Sequence, residues 1–172
     1  SALYVINCLG PWANQFLEKS SLPPTHRAIN NKGAHIVLPE SGCKAGLFLE
    51  SPLDSRVIFI LPWNGATLVG TTEGLYHGDL DAVHADEKEI DYLLKIANGY
   101  LREPFSKNDI LTTFAGLRWL PIQEHLDISS TSRESVLGQI ENQRGMLITL
   151  YGGKLTTYRR LSERLGDEIT RH

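Results

Sequence analysis

Cysteine is scarce in this sequence: Cys8 and Cys43 are the only two in 172 residues. Two thiols make neither a disulfide framework nor a zinc site, so both are expected to be reduced. The six histidines are scattered, without the close pairing that a metal site on one helix would show, and no metal is expected. No apolar run approaches the roughly 20 residues needed to span a bilayer. An excess of positive charge is also missing. The net charge is −3 and the pI near 6.1, which speaks against a nucleic-acid surface. No recognisable nucleophile elbow, metal-ligand set or paired-carboxylate signature is present, so any chemistry here is expected to be carried by a cofactor. The sequence does not open with methionine, and no signal peptide is expected in it. Ser1-Ala2 lead directly into the apolar Leu3-Tyr4-Val5-Ile6, and the sequence is expected to begin inside a fold.

The composition that remains is that of a globular protein with a real core, 41 % apolar and 22 % charged. Residues 3–7, LYVIN, read as a short buried strand ending at CLGPWAN. There Gly10 allows a positive φ or a close backbone approach, and Pro11 suits the first turn of a helix. PWANQFLEKS follows as a short helix with Trp12 and Phe16 four apart. AHIVLP, AGLFLE, VIFILP and ATLVGTT are short apolar strands punctuated by turn residues, and Asn64-Gly65 marks a hairpin. DEKEIDYLLKIANGYL is the clearest helix. Asp86 and Glu89 form a capping-box pattern, and Ile90, Leu93, Leu94, Ala97 and Leu101 lie on one face. FAGLRWLP, ESVLGQI and MLITL are three further strands, and Leu155, Tyr158, Leu161, Leu165 and Ile169 mark a C-terminal amphipathic helix. The class is α+β: an antiparallel or mixed sheet with flanking helices.

Five places carry candidate chemistry. In LYGGKLTT an apolar strand turns through Gly152-Gly153 into a helix start. Glycines let a ligand approach the backbone, the unpaired N–H groups suit an anionic or carbonyl oxygen, Lys154 adds a charge, and Thr156 and Thr157 can cap the helix or hydrogen-bond a ligand. A plain strand-to-helix turn would use the same glycines. It is not a P-loop, because Leu155 stands where that motif needs Ser or Thr. In FAGLRWLP, Arg118 lies in an apolar stretch and needs an anion, either a protein carboxylate or a ligand. In TSRESV, Arg133 with Ser132 precedes a strand, a position a surface arginine would also fill. In NKGAHIVLP, His35 enters a strand after Gly33, as a satisfied core histidine also would. VGTTE places two hydroxyls and an acid at a strand end, which turn and cap chemistry would also explain. Together Arg118, Arg133, Lys154 and His35 supply three permanent cations and a proton carrier, a set suited to a phosphate or carboxylate substrate.

In order along the chain, VINCLGPWAN, NKGAHIVLP, FILPWNGATLVGTTE, YLLKIANGYL, FAGLRWLP, TSRES and MLITLYGGKLTTYRRLSE resemble FAD-dependent glycerol-3-phosphate dehydrogenase. That enzyme belongs to the D-amino-acid-oxidase-like flavoproteins. KGAH, GTTE and GGKLTTYR carry the glycerol-3-phosphate branch, whereas NCLGPWA is shared more widely. The resemblance implies oxidation of sn-glycerol 3-phosphate to dihydroxyacetone phosphate, with hydride passing to flavin N5. It places Gly10 beside the FAD pyrophosphate and Gly152, Gly153, Lys154, Leu155 and Thr156 against the flavin ring. Arg118, Arg133, Lys154 and His35 would hold the substrate, with His35 or Arg118 catalytic. Trp119, the CLG tripeptide and Glu73 depart from the usual family residues at their positions.

The family's Gly-x-Gly-x-x-Gly fingerprint occurs nowhere in this sequence. The chain is therefore expected to be a fragment. Residues 1–20 and 145–172 would belong to an FAD-binding domain, and 21–144 would form the substrate-binding domain. Such a piece is expected to bind FAD weakly or not at all and to be inactive alone. The electron acceptor of the family is a quinone or oxygen. The protein is expected to be cytoplasmic, with at most a peripheral contact on the inner face of a membrane, and an exposed docking face could make it a dimer. Two other readings fit the same residues: a flavoprotein oxidase of small hydroxy or amino acids, and a non-enzymatic anion-binding module.

Overall fold

The computed structural model describes residues 2–122 and 134–171. In chain order the elements are β1 (Tyr4–Asn7), a 3-10 turn (Gly10–Trp12), α1 (Ala13–Lys19), β2 (Ala28–Pro39), β3 (Leu47–Glu50), β4 (Val57–Trp63), β5 (Ala66–Gly70) and β6 (Gly74–Leu75). Then follow α2 (Glu87–Tyr100), β7 (Thr112–Pro121), β8 (Val136–Asn142), β9 (Gly145–Tyr151), a 3-10 turn (Leu155–Thr157) and α3 (Tyr158–Thr170). The chain divides into two compact units, one of Ser1–Asn30 with Arg118–His172 and one of Asn31–Leu117. It passes from one to the other within β2 and again within β7.

The central unit, 31–117, is built on a sheet of order β3-β4-β5-β2-β6, with β7 pairing β2. The β4–β5 hairpin turns at Asn64-Gly65, where both residues take positive φ (51° and 74°), as a two-residue turn matched to strand twist requires. Strand alternation sends Ile36, Leu38, Ile58, Ile60 and Val69 to one face, where α2 covers them with Leu93, Leu94, Ile96 and Ala97. The capping box predicted at the start of α2 is present. The Asp86 carboxylate accepts the Glu89 N–H at 3.0 Å, and the Glu89 carboxylate accepts the Asp86 N–H at 3.0 Å. Residues on the opposite face stand in a row across four strands: Phe48 opposite Phe59, Phe59 opposite Gly70, and Gly70 opposite His35.

The terminal unit holds a three-stranded sheet of order β1-β9-β8, with β1 parallel and β8 antiparallel to β9. Its core gathers Ala13, Trp119 and Tyr151, with Ala28 and Val136 packed against them. The Trp119 and Tyr151 rings stack with centroids 4.5 Å apart. Trp119 is thus a core residue, and the neighbouring Arg118 points to the other side of its strand. Gly138 leaves room for this packing, since an added Cβ would lie 2.9 Å from the Tyr151 ring. The C-terminal helix differs from the sequence expectation at its start. Leu155 lies in the 3-10 turn and Tyr158 opens α3, and both are exposed, so only Leu161, Leu165 and Ile169 are drawn toward the protein. Among the described residues, no helix is long and apolar enough to cross a membrane, and no cluster of three His, Cys, Asp or Glu side chains could hold a metal.

Candidate functional site

In the terminal unit, β1 and β9 run side by side in the same direction with Asn7 opposite Thr149. Gly10 and Gly152 each follow three residues later. Two strand-to-helix turns therefore leave the same carboxyl edge of a parallel pair. Gly10 (φ 54°) opens one turn, and Gly152 and Gly153 (φ 70° and 102°) open the other. The carboxyl edge of parallel strands is where open α/β sheets bind their ligands, because both helix starts present unpaired N–H groups there. No side chain caps the start of either helical turn. Thr157 does not serve as the cap its position suggested: both its N–H and its hydroxyl donate to the Lys154 carbonyl, at 3.0 and 3.1 Å. A Cβ at Gly10 would meet nothing within 4 Å, so the backbone there is open to a close ligand. At Gly152 a Cβ would lie 2.7 Å from the Glu134 carbonyl oxygen, so glycine is needed for the turn itself.

Asn7 ties this edge together, and sequence inspection missed it. Its side chain is 3 % exposed. The amide donates to the Ala13 carbonyl (3.4 Å) and the Thr149 hydroxyl (3.5 Å), and its carbonyl oxygen accepts the Leu9 N–H (3.2 Å). One side chain thus links β1, the turn, the first helix and β9. The only signal available in the sequence was a polar residue ending an apolar strand.

Lys154 lines a cleft of about 390 Å³ with Ser135, Thr157, Arg160 and Arg164. Arg118 is half-buried on β7 and is not among the residues of that cleft. Arg133 and Ser132 lie outside the described residues. Leu155 and Thr156 are both exposed beside Lys154. Gly10, Gly152, Gly153, Lys154, Leu155 and Thr156 thus belong to two adjacent turns of the terminal unit.

In the central unit His35 is half-buried and lies flat between two partners. Its ring stacks on Phe114, with centroids 4.9 Å apart and planes 12° from parallel. On the neighbouring strand it covers Gly70, where a Cβ would sit 2.7 Å from both the Cγ and the Nε2 of the imidazole. Trp63 extends the aromatic surface, its ring 5.8 Å from Phe114. Gly70 was read in the sequence only as part of a strand; its lack of a side chain is what admits the histidine.

A second cleft of the central unit, about 460 Å³, is lined by Lys32, Arg56, Glu73, Tyr76, Glu89 and Tyr92, among others. Lys32 reaches Glu89 at 2.8 Å and Asp86 at 3.1 Å. Burial works to lower the Lys32 pKa, but the hydrogen bonds and charges of Glu89 and Asp86 outweigh it and leave it raised. Asp86 is held below the ordinary carboxylate value, chiefly by the Glu89 backbone N–H and against its own burial, with Lys32 adding to the effect. Nearby, Tyr92 donates to Asp54 at 2.8 Å, Arg56 pairs with Asp54 at 3.3 Å, and the Arg56 guanidinium also donates to the Glu73 carbonyl. The Asp54 carboxyl falls below its usual range despite desolvation, because Tyr92, Ser51 and Arg56 surround it with donors.

The family model for FAD dependent oxidoreductases matches residues 1–159. D-erythritol 1-phosphate dehydrogenase of Brucella abortus (strain 2308) is 37 % identical over 162 residues, covering 93 % of this chain and 32 % of that protein. Aerobic glycerol-3-phosphate dehydrogenase of Escherichia coli (strain K12) is 34 % identical over 169 residues, covering 96 % and 34 %. Among solved structures, glycerol-3-phosphate dehydrogenase from Bacillus halodurans complexed with FAD superposes with a TM-score of 0.80 at 29 % identity, covering 98 % of this chain and 32 % of that one. The chain thus spans about a third of the length of the relatives it matches. The paired glycine turns at one parallel edge agree with the dinucleotide chemistry of that family, and the chain belongs to the FAD-dependent oxidoreductases.

Proposed function

We propose that this chain contributes to an FAD-dependent dehydrogenase of polyol phosphates, with sn-glycerol 3-phosphate, oxidised to dihydroxyacetone phosphate, as the specific substrate. The observation that carries the reading is the parallel β1–β9 pair with Gly10 and Gly152 at matched distances beyond the Asn7–Thr149 register. That edge fits a dinucleotide: the backbone at Gly10 is open, and the second turn offers uncapped N–H groups. Segments 1–20 and 145–172 both lie in the terminal unit and are assigned to the FAD side, and the sheet carrying His35 is assigned to the substrate side. Gly10 would admit the cofactor's pyrophosphate, and the backbone N–H groups of Gly153, Lys154 and Leu155 would hold the flavin. FAD, when bound, supplies the hydride acceptor.

The chain's own residues have separate tasks. Arg118, Arg133 and Lys154 neutralise the substrate phosphate and orient its hydroxyls, which suits guanidinium and ammonium groups. His35 takes the proton of the C2 hydroxyl, and its ring is pre-oriented by Phe114 and Gly70. The names of the two relatives point to phosphorylated polyols as a class, and glycerol 3-phosphate is the smaller of the two substrates they name.

Steady-state kinetics of the holoenzyme on glycerol 3-phosphate, erythritol phosphate and unphosphorylated 2-hydroxy acids test this. The phosphorylated substrates should show the higher kcat/KM, and Lys154→Ala should raise their KM about tenfold or more, the loss of a charge-assisted contact. Preference for a 2-hydroxy or amino acid would replace this reading with that of a flavoprotein oxidase.

A further inference from the structure

The motifs NKGAH and GTTE are joined on the side of the sheet away from His35. Ala34, completely buried, is gripped twice by Thr72: its N–H donates to the Thr72 hydroxyl at 2.8 Å, and its carbonyl accepts the Thr72 N–H at 3.2 Å. The Thr72 hydroxyl in turn donates to the Glu89 carboxylate at 2.8 Å. The other oxygen of Glu89 receives the Lys32 ammonium at 2.8 Å and the Asp86 N–H at 3.0 Å. Residues 32 and 34 are therefore both anchored to the first turn of α2, one through its ammonium and one through its backbone.

We propose that Thr72 and Glu89, backed by Lys32, are positioning residues for the His35 imidazole. The inference rests on the reading that His35 acts on the substrate. In a strand, successive side chains point to opposite faces, so the anchors at 32 and 34 lie on the α2 side while His35 stands on the open face. These residues hold the strand from its α2 side, and they act by fixing the peptide that sets the direction of the ring. Gly70 and Phe114 then hold the ring from the front. The hydroxyl of Thr72 accepts one hydrogen bond and donates another, which serine can reproduce and isosteric valine cannot.

The test compares Thr72→Val with Thr72→Ser. Two signals are read: the His35 ring resonances by NMR in this chain, and kcat and KM of the holoenzyme on a polyol phosphate. Thr72→Val should move the His35 resonances and lower kcat about tenfold or more, with KM within about twofold, because small misplacements of a reacting group act on the chemical step. Thr72→Ser should restore both. A role in stability alone would lower the melting temperature and leave the split between kcat and KM untouched. A folded Thr72→Val protein with His35 resonances unmoved overturns the proposal. If that variant does not fold, Glu89→Gln is read the same way, because its one acceptor oxygen cannot serve both Thr72 and the Asp86 N–H. Resonances that move while neither Thr72→Val nor His35→Gln changes kcat would uphold the positioning and overturn the site reading of His35.

Discussion

Gly70→Ala puts the arrangement around His35 under direct strain. The backbone at Gly70 is not in the left-handed region, so alanine is conformationally acceptable there and the cost is steric. The new Cβ would lie 2.7 Å from both Cγ and Nε2 of the imidazole, and closer still to its Cδ2. Ordinary carbon contacts begin at roughly 3.5 Å, and the Cδ2 atom would be only 2.1 Å away, so the ring must retreat by more than about 1 Å or leave its rotamer. Both strands are interior to the sheet, with β5 held between β4 and β2, so the backbone cannot yield easily. Overpacking of this kind costs about 1–3 kcal/mol, and breaking the stack on Phe114 adds about 0.5–1.5 kcal/mol. The sum is a loss of about 1.5–4.5 kcal/mol in urea unfolding, accompanied by new His35 and Phe114 ring resonances. On the proposed role of His35, a displacement of that size should lower turnover of the holoenzyme by about a hundredfold. A Gly70→Ala chain that keeps its stability within about 0.5 kcal/mol and its His35 resonances in place would refute the reasoning, since surface-like tolerance at this glycine is incompatible with the stacked ring.

Two further outcomes follow from the same geometry. Gly152→Ala combines a φ of 70° with a Cβ placed 2.7 Å from the Glu134 carbonyl, and it should cost more than about 1 kcal/mol in a urea titration and weaken flavin retention in the holoenzyme. The start of α2 should be stable only inside a pH window, measured by amide exchange at Glu89. Asp86, with its folded pKa lowered, contributes stability that is complete above its ordinary value of 3.8 and is lost as pH falls through the folded value. Lys32, with its folded pKa raised, contributes stability that is complete below 10.5 and is lost as pH rises through the folded value.

Much of the local structure was legible in the sequence because it rests on local physics. The α2 capping box needs residues only three apart, and the Asn64-Gly65 hairpin needs two residues that accept positive φ. The start of α3 was harder to read. Leu155 and Tyr158 continue its apolar spacing, but the 3-10 turn rotates Leu155 out of register with the helix, and both side chains face solvent. Thr157 looked like a cap and instead closes the turn onto Lys154. Trp119 departs from the resembled family's usual residue, yet its place in the core is explained by the Tyr151 ring 32 positions later, a pairing no short window contains.

The elements, the glycine-rich turns and the family they point to can be read from short stretches of sequence, because periodicity, capping and turn chemistry are set by near neighbours. The sequence also supplied the residues of the proposed site: His35, Arg118, Lys154 and the glycines at 10, 152 and 153. The folded chain alone brings Gly10 and Gly152 to one edge, since the β1–β9 register joins residues 142 positions apart. It alone decided that Gly70 makes room for His35 and that Thr72 and Glu89 hold the strand behind it. Such contacts depend on which strands pair and in which register, and that choice is made by burying a whole sheet face against α2 rather than by any stretch of sequence alone.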